Sequence, residues 1–417
     1  DCVTASKIDV LDLVKVFGPN PRAVEAALSL LAARESKDEI LARTGGVVAV
    51  AGVSLSVREG EIYMIMGLSG SGKSTLVRCL NRLIEPTSGS VHIDGENIFK
   101  KGKSELREMR RTRMSMVFQN FALLPHKTVL ENVEFGLKLR GEPKDQRTDR
   151  AMETLEQVGL NGWELHYPDN LSGGMRQRLG LARALASDPE ILLMDEPFSA
   201  LDPLIRNEMQ NELLALQQRL HKTIVFITHD FQEAIKLGDQ IAIMRDGEIV
   251  QVGGAAELVS QPADDYVHKF TKEIDRGRVF TAESIMRGSD AVIPEDGTWE
   301  AAIRALNNSQ NDCLFVLDDG GQPIGFLLAN DMRDSGTTKD SPIGQAMTTE
   351  FPRVTPDQRL ADIYEQCNSE APLAVVNDQG RFLGTVSVHD IVSQLAAAGS
   401  APASSARATV KMDAHDG

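Results

Sequence analysis

The sequence predicts an α/β domain carrying a helical subdomain, followed by a smaller α+β module built from two repeats. Three observations predict it. The apolar run Ile62-Tyr63-Met64-Ile65-Met66 leads through a glycine loop, residues 67–75, into the helical pattern Leu76-Val77-Arg78-Cys79-Leu80. Apolar strand-like runs at Met114–Phe118, Ile191–Asp195 and Thr223–Ile227 are separated by helical stretches. Past Asp275 the pattern changes to two similar units of about 55–60 residues each.

The glycine loop reads Gly67-Leu68-Ser69-Gly70-Ser71-Gly72-Lys73-Ser74-Thr75. Strand, glycine loop, Lys-Ser and helix is the context that a phosphate-binding P-loop requires. The glycines let backbone N–H groups turn inward where a Cβ would block a phosphate. The helix N-terminus adds unpaired donors and the positive end of its dipole. Lys73 would then reach the β- and γ-phosphates of a nucleoside triphosphate, and the Ser74 hydroxyl would ligate Mg²⁺. An ordinary glycine-rich turn would not need both Lys73 and Ser74.

Length and composition bound what surrounds this loop. A chain of 417 residues is long enough for two or more domains, each with its own core. Its formal charge of −16 argues against a general nucleic-acid binder. Cys2, Cys79, Cys313 and Cys367 are scattered with no CxxC or His pairing, which suits a reducing compartment and no zinc site. No stretch reaches the roughly 18 apolar residues of a membrane span, and no signal-peptide layout is expected at the start. Any membrane role is therefore expected through a partner.

In chain order, Ile8–Phe17 alternates as a strand and stops at the turn signal Phe17-Gly18-Pro19. One helical segment is expected over about 19–43, where Ala23, Ala26, Ala27, Leu30, Leu31 and Ala33 recur at helical spacing. Thr44-Gly45-Gly46 closes it and Val47–Val57 returns to strand. A surface decoration and a regulatory or docking element both fit this insertion. Residues 103–114 form a basic helix with Arg107, Arg110, Arg111 and Arg113, which reads as a solvated face. Gln119 ends the strand Met114–Phe118, where a neutral amide can accept from a Mg²⁺-bound water. A helical subdomain is expected over about 120–170.

A second constellation follows. Leu171-Ser172-Gly173-Gly174-Met175-Arg176-Gln177-Arg178 opens a helix running to Ala186, with Ser172 placed as its N-cap. The glycines again bare backbone donors at a helix N-terminus. The strand Ile191–Asp195 then ends in the paired carboxylates Asp195 and Glu196. An acid at a strand end beside a P-loop can hold Mg²⁺ through water, and a second acid can polarise the attacking water. Ser199-Ala200-Leu201-Asp202 follows, and the next strand leads into Thr228-His229-Asp230. A lone histidine after a strand is more often structural; in this company it reads as a γ-phosphate sensor.

These motifs, in this order and spacing, resemble those of the ABC-transporter ATPases over residues 5–275. The resemblance implies an ABC-type P-loop ATPase domain that binds ATP and Mg²⁺ and works as a homodimer, with two nucleotides sandwiched head to tail. It implies that residues Gly67 to Thr75 bind ATP, and that Ser74, Gln119 and Asp195 serve the metal, Asp195 via water. Glu196, with His229 and Gln119, would be catalytic. Ser172, Gly173, Gly174 and Met175 would act on the nucleotide held by the other subunit, and Asp202 would couple the two sites. Two departures stand out: Met175 replaces the usual Gln, and Thr44-Gly45-Gly46 occupies the place of the aromatic that stacks on adenine, which leaves Phe17 as the substitute.

Within that superfamily, Gln119–Val133, the P-loop and Leu171–Leu185 are similar to the ATPase subunit of bacterial osmoprotectant importers. That likeness implies uptake of glycine betaine or a related quaternary amine through a separate permease, with an extracytoplasmic binding protein as indirect partner. The chain would sit peripherally on the cytoplasmic face of the cell membrane. An importer ATPase for another solute such as an amino acid, and a soluble ABC ATPase outside transport, are the alternatives.

The C-terminal repeats, 279–338 and 342–398, resemble a tandem pair of CBS domains. The family pattern of Gly, hydroxyl and Asp is kept in the second unit as Gly384, Ser387 and Asp390; the first has Gly325 and Asp331 but Leu328 between them. A regulatory nucleotide such as cyclic di-AMP is therefore expected, if at all, at Ser387 and Asp390, and a purely structural pair fits as well. Residues 276–417 hold 11 Lys and Arg against 20 Asp and Glu, a net −9, so no basic patch faces anionic lipid. Residues 399–417 are Ala/Ser-rich and read as a disordered tail.

Overall fold

The computed structural model describes residues 6–119, 122–288, 292–308, 313–329, 332, 343, 347–367 and 371–396. The expected tail and Asp331 lie outside them. The chain divides into two compact units, Asp1–Glu273 and Ile274–Gly417.

The first unit holds two sheets. β1 (Ser6–Phe17), β2 (Val47–Arg58), β4 (Ser88–Ile93) and β5 (Glu96–Asn97) form an antiparallel sheet in the order β2-β1-β4-β5. The second sheet has the order β10-β9-β3-β8-β7-β6. Its strands are β3 (Ile62–Met66), β6 (Met114–Val117), β7 (Ile191–Asp195), β8 (Thr223–Thr228), β9 (Gln240–Arg245) and β10 (Glu248–Gly253). Only the β9–β10 hairpin is antiparallel. β3, β7 and β8 are apolar because both faces are covered, and their residues are buried throughout. The glycine loop leaves the carboxyl end of β3, between β8 and β9; Thr228 ends β8 beside it, and Asp195 ends β7, one strand further on.

The insertion between β1 and β2 is two helices, α1 (Pro21–Ala32) and α2 (Lys37–Thr44), where one segment was expected. The break has a local cause. Arg34 adopts a left-handed φ of 60°, and Ser36 caps α2 by accepting from the Glu39 N–H. Ile40 and Ala27 of the insertion pack with Val16 and Val48 of the strands that flank it.

α3 (Lys73–Leu80) follows the glycine loop, and α4 (Lys103–Thr112) is the basic helix. The helical subdomain contains α5 (Val129–Arg140), α6 (Lys144–Gln157) and α7 (Gly173–Leu185). Thr128 and Glu131 form a capping box at the start of α5, and Gly141 ends it in the left-handed region. The three helices close on Val133, Leu137, Leu155, Leu171 and Leu179. α8 (Pro203–Leu220) begins with Pro203 behind an Asp202 cap, and α9 (Phe231–Leu237) follows β8.

The second unit repeats one topology. β12 (Val292–Pro294) pairs parallel with β13 (Cys313–Leu317), which pairs antiparallel with β14 (Pro323–Leu328). β15 (Arg353–Val354), β16 (Leu373–Val376) and β17 (Phe382–Val386) repeat the same parallel-then-antiparallel order. The short β11 (Arg287–Gly288) crosses over to pair with β17 of the second repeat, which residue periodicity did not reveal. Phe315, Phe326, Phe351 and Phe382 pack together between the repeats.

Candidate functional site

The glycine loop is built for close approach. A Cβ on Gly67 would collide with the Met244 carbonyl oxygen, and one on Gly72 with that of Ala49. Gly70 and Gly72 also hold φ of +84° and +100°. At the apex, Leu68, Ser69 and Gly70 are exposed, whereas Ser71 and Lys73 are buried. Ser71 Oγ is buried without a hydrogen-bond partner, an orphan that a phosphate oxygen would satisfy. Lys73 Nζ donates to the Gly67 and Leu68 carbonyls at 2.8 and 3.0 Å. Burial pulls its ammonium below the usual lysine range, against the opposing pull of Glu196 and Asp195. A cation held by its own loop, beside an orphan donor and a cradle closed to side chains, fits a polyphosphate.

The metal-facing groups meet at the strand ends. Ser74 Oγ donates to Asp195 Oδ1 at 2.8 Å, although 121 residues separate them. Asp195 is 2% exposed, and Arg78 of α3 pairs with its other oxygen at 3.1 Å. Sequence reasoning missed Arg78; its signal was its position five residues after Lys73 on the helix that leaves the loop. Among the described residues, no group of three or more His, Cys, Asp or Glu could hold a metal ion alone. Ser74 with Asp195 therefore suits a Mg²⁺ that arrives with phosphate ligands of its own.

The second carboxylate sits beside the histidine. His229 Nδ1 lies 3.1 Å from Glu196 Oε2. Glu196 has a φ of +46°, a left-handed backbone that a non-glycine residue adopts at a cost. Gln119 Nε2 reaches Ser199 Oγ at 3.5 Å, and Ser199 in turn donates to the Glu196 carbonyl at 3.0 Å. A small cavity is lined by Glu196, Ser199, Arg206, Thr228, His229, Asp230 and Glu233. Burial pushes the Glu233 carboxyl above the usual glutamate range, while hydrogen bonds from Thr228 and Gln210 oppose the rise.

Ser172 caps α7 as expected, accepting from the Met175 N–H at 3.3 Å. A Cβ on Gly174 would crowd Ile205, and Leu201 neighbours Gly173, so this helix start packs against the start of α8. Asp202 accepts there from the Leu204 and Ile205 N–H groups. Met175 is half-buried and packs against the edge of the subdomain core. Phe17 is 41% exposed at the end of β1, opposite Val47, with Lys15 Nζ 4.8 Å from its ring centre. In the second unit, Ser387 Oγ donates to Asp390 at 2.6 Å, and Arg287 donates twice to the same carboxylate at 2.6 and 3.0 Å.

A P-loop at the carboxyl end of a parallel sheet, with an acid, a second acid and a histidine on the adjoining strand ends, defines an ATPase of the ABC class. The ABC transporter family model matches residues 50–199, and the CBS domain model matches residues 343–397. The glycine betaine transport ATP-binding protein OpuAA of Bacillus subtilis is 46% identical over 94% of this chain and 92% of its own. The trimethylamine N-oxide transport system ATP-binding protein TmoW of Ruegeria pomeroyi is 49% identical over 77% of this chain and 94% of its own. A dimeric structure of MJ0796, a bacterial ABC transporter cassette, is 33% identical with a TM-score of 0.50, covering 59% of this chain and 98% of its own. The chain belongs to the family of ABC transporter ATP-binding proteins. It is an ATP-hydrolysing transporter subunit that uses ATP with Mg²⁺ and carries a C-terminal CBS module. No helix among the described residues is long and apolar enough to cross a membrane.

Proposed function

We propose that the chain powers uptake of glycine betaine or a related quaternary amine through a separate permease, supplied by an extracytoplasmic binding protein. The observation that carries the solute class is likeness along nearly the whole chain, CBS module included, to a glycine betaine transport protein. The relative named for trimethylamine N-oxide supports the same chemistry, a small solute with a fully substituted nitrogen. An amino-acid importer and a soluble ATPase outside transport have no such support. The two domains are assigned to residues 1–275 and to CBS repeats 279–338 and 342–398. The subunit works peripherally, on the cytoplasmic face of the cell membrane.

In the proposed chemistry, the loop from Gly67 to Thr75 holds the phosphates and Phe17 stacks on the base. Ser74, Gln119 and, through water, Asp195 hold Mg²⁺, which neutralises charge on the transferring phosphate. Glu196 accepts the proton of the attacking water, and His229 holds that carboxylate in place at 3.1 Å. Ser172, Gly173, Gly174 and Met175 face the nucleotide of a second copy, with Asp202 coupling the two sites. This fits a helix N-terminus whose neighbours are Leu201 and Ile205 and not its own P-loop. A regulatory nucleotide such as cyclic di-AMP belongs at Ser387 and Asp390, whose carboxylate Arg287 holds in place.

The test is ATP hydrolysis by the complex purified from membranes with its native partners, with and without glycine betaine, across a range of salt. Hydrolysis stimulated by betaine and absent in Glu196→Gln is expected, with ATP still bound by the variant. Full turnover in Glu196→Gln would remove the catalytic assignment. Robust hydrolysis indifferent to betaine would reject the solute.

A further inference from the structure

Phe17 and Val47 face each other in the β1–β2 register, and between them the chain leaves the sheet to form α1 and α2. Lys37, the first residue of α2, turns back onto that sheet. Its Nζ donates to the Val48 carbonyl at 2.6 Å. A Cβ built on Gly247 would lie 2.5 Å from the same Nζ, so the ammonium rests against the β9–β10 turn. That turn is itself fastened to the P-loop: the Gly247 N–H donates to the Ser71 carbonyl at 2.9 Å. Gly247 also accepts from the Ala51 N–H at 2.9 Å, and Gly72 fits against Ala49 only because it has no side chain. Lys37 therefore bonds to, or packs on, both backbone segments that support Ser71 and Gly72.

Its surroundings are acidic. Burial holds the Lys37 ammonium below the usual lysine range, while the Asp246 and Glu248 carboxylates of the turn pull the other way. Without Lys37 the turn would present a more negative field to a loop that must receive a polyphosphate anion. Asp246 and Glu248 are exposed, so salt screens part of that repulsion.

We propose that Lys37 is a positioning residue for the nucleotide: the insertion delivers a cation that braces the floor of the P-loop and cancels the acidic turn beneath it. This rests on the reading of residues 67–75 as the ATP-binding loop. It gives the helical insertion a role in nucleotide affinity.

The experiment is a titration of the full chain with a fluorescent ATP analogue and Mg²⁺, beside steady-state ATP hydrolysis and a melting curve. Lys37→Met removes charge and donor at similar length; Lys37→Arg keeps the charge. Lys37→Met is expected to weaken binding and raise KM by about 5- to 30-fold, with kcat at saturating ATP within about two-fold, the scale of one lost charge-assisted contact. Lys37→Arg is expected to recover most of the loss. If Lys37→Met does not fold, Lys37→Gln is read the same way. Wild-type affinity in the neutral variant, equal losses in the Met and Arg variants, or a fall in kcat with unchanged KM would overturn the proposal. A wild-type chain that bound no nucleotide would instead refute the reading of the loop itself.

Discussion

Asp195 is a carboxylate 2% exposed, and its charge is met by Arg78 at 3.1 Å and by the Ser74 hydroxyl at 2.8 Å. Replacing Arg78 with Met removes the cation but keeps much of the stem. A hydrogen bond to a charged group contributes about 1.5–3 kcal/mol, and removing its partner leaves the other charge buried. The Arg78 side chain is 44% exposed, so solvent screening moves the expected loss to about 1–2 kcal/mol. For a domain of this size that is a fall of roughly 2–8 °C in the nucleotide-free melting temperature. Mg²⁺ with a non-hydrolysable ATP analogue supplies the missing positive charge, so the gap between variant and wild type should shrink once both are present. Melting curves with no addition, with Mg²⁺ alone, and with Mg²⁺ and analogue read all three states. An unchanged nucleotide-free melting temperature would refute the pairing. A deficit equally large in all three conditions would refute the idea that Arg78 and Mg²⁺ serve the same carboxylate.

Two further substitutions probe the same neighbourhood. Gly72→Ala combines a left-handed φ of +100° with a backbone collision at Ala49, and should cost about 2–5 kcal/mol. Gly70→Ala has φ +84° and open space around its Cβ, and should cost only about 1–2 kcal/mol. Equal melting temperatures for the two would contradict the packing of Gly72 against β2. Glu233→Gln addresses the buried carboxyl behind His229. Because burial raises the folded-state pKa, the stabilisation from protonated Glu233 is complete below the unfolded value of about 4.3 and is lost as pH rises through the folded value. Glu233→Gln keeps hydrogen-bonding capacity without titrating. Its melting temperature should therefore gain on wild type as pH increases from about 4 upward, and a difference flat with pH would count against a raised pKa.

Much of this site was legible because it is local. Residues 67–75 carry their spacing, their flanking strand and their helix within a short stretch, and Ser172 caps α7 three residues from the N–H that it accepts. The halves of the insertion were legible as helix, but the break between them was not. It depends on a left-handed Arg34 and a Ser36 cap, which compete with helical spacing that continues on either side. The crossing of β11 to β17 was equally hidden, because two residues hold no periodicity and their partner lies about a hundred positions later. Met175 was visible as a departure, and its half-buried side chain packs against the edge of the subdomain core.

By itself, the sequence determined the class of chemistry. Glycines at fixed offsets before Lys73 and Ser74, and acids at the end of an apolar run, are backbone and side-chain requirements met within a few residues. The family resemblance followed from their order. Tertiary structure alone decided what each charge faces. Arg78 meets Asp195, Lys37 meets Gly247, and Arg287 meets Asp390 only after elements far apart in the chain become neighbours. Electrostatic energy depends on distance and burial, and neither is written in the spacing of residues along the chain.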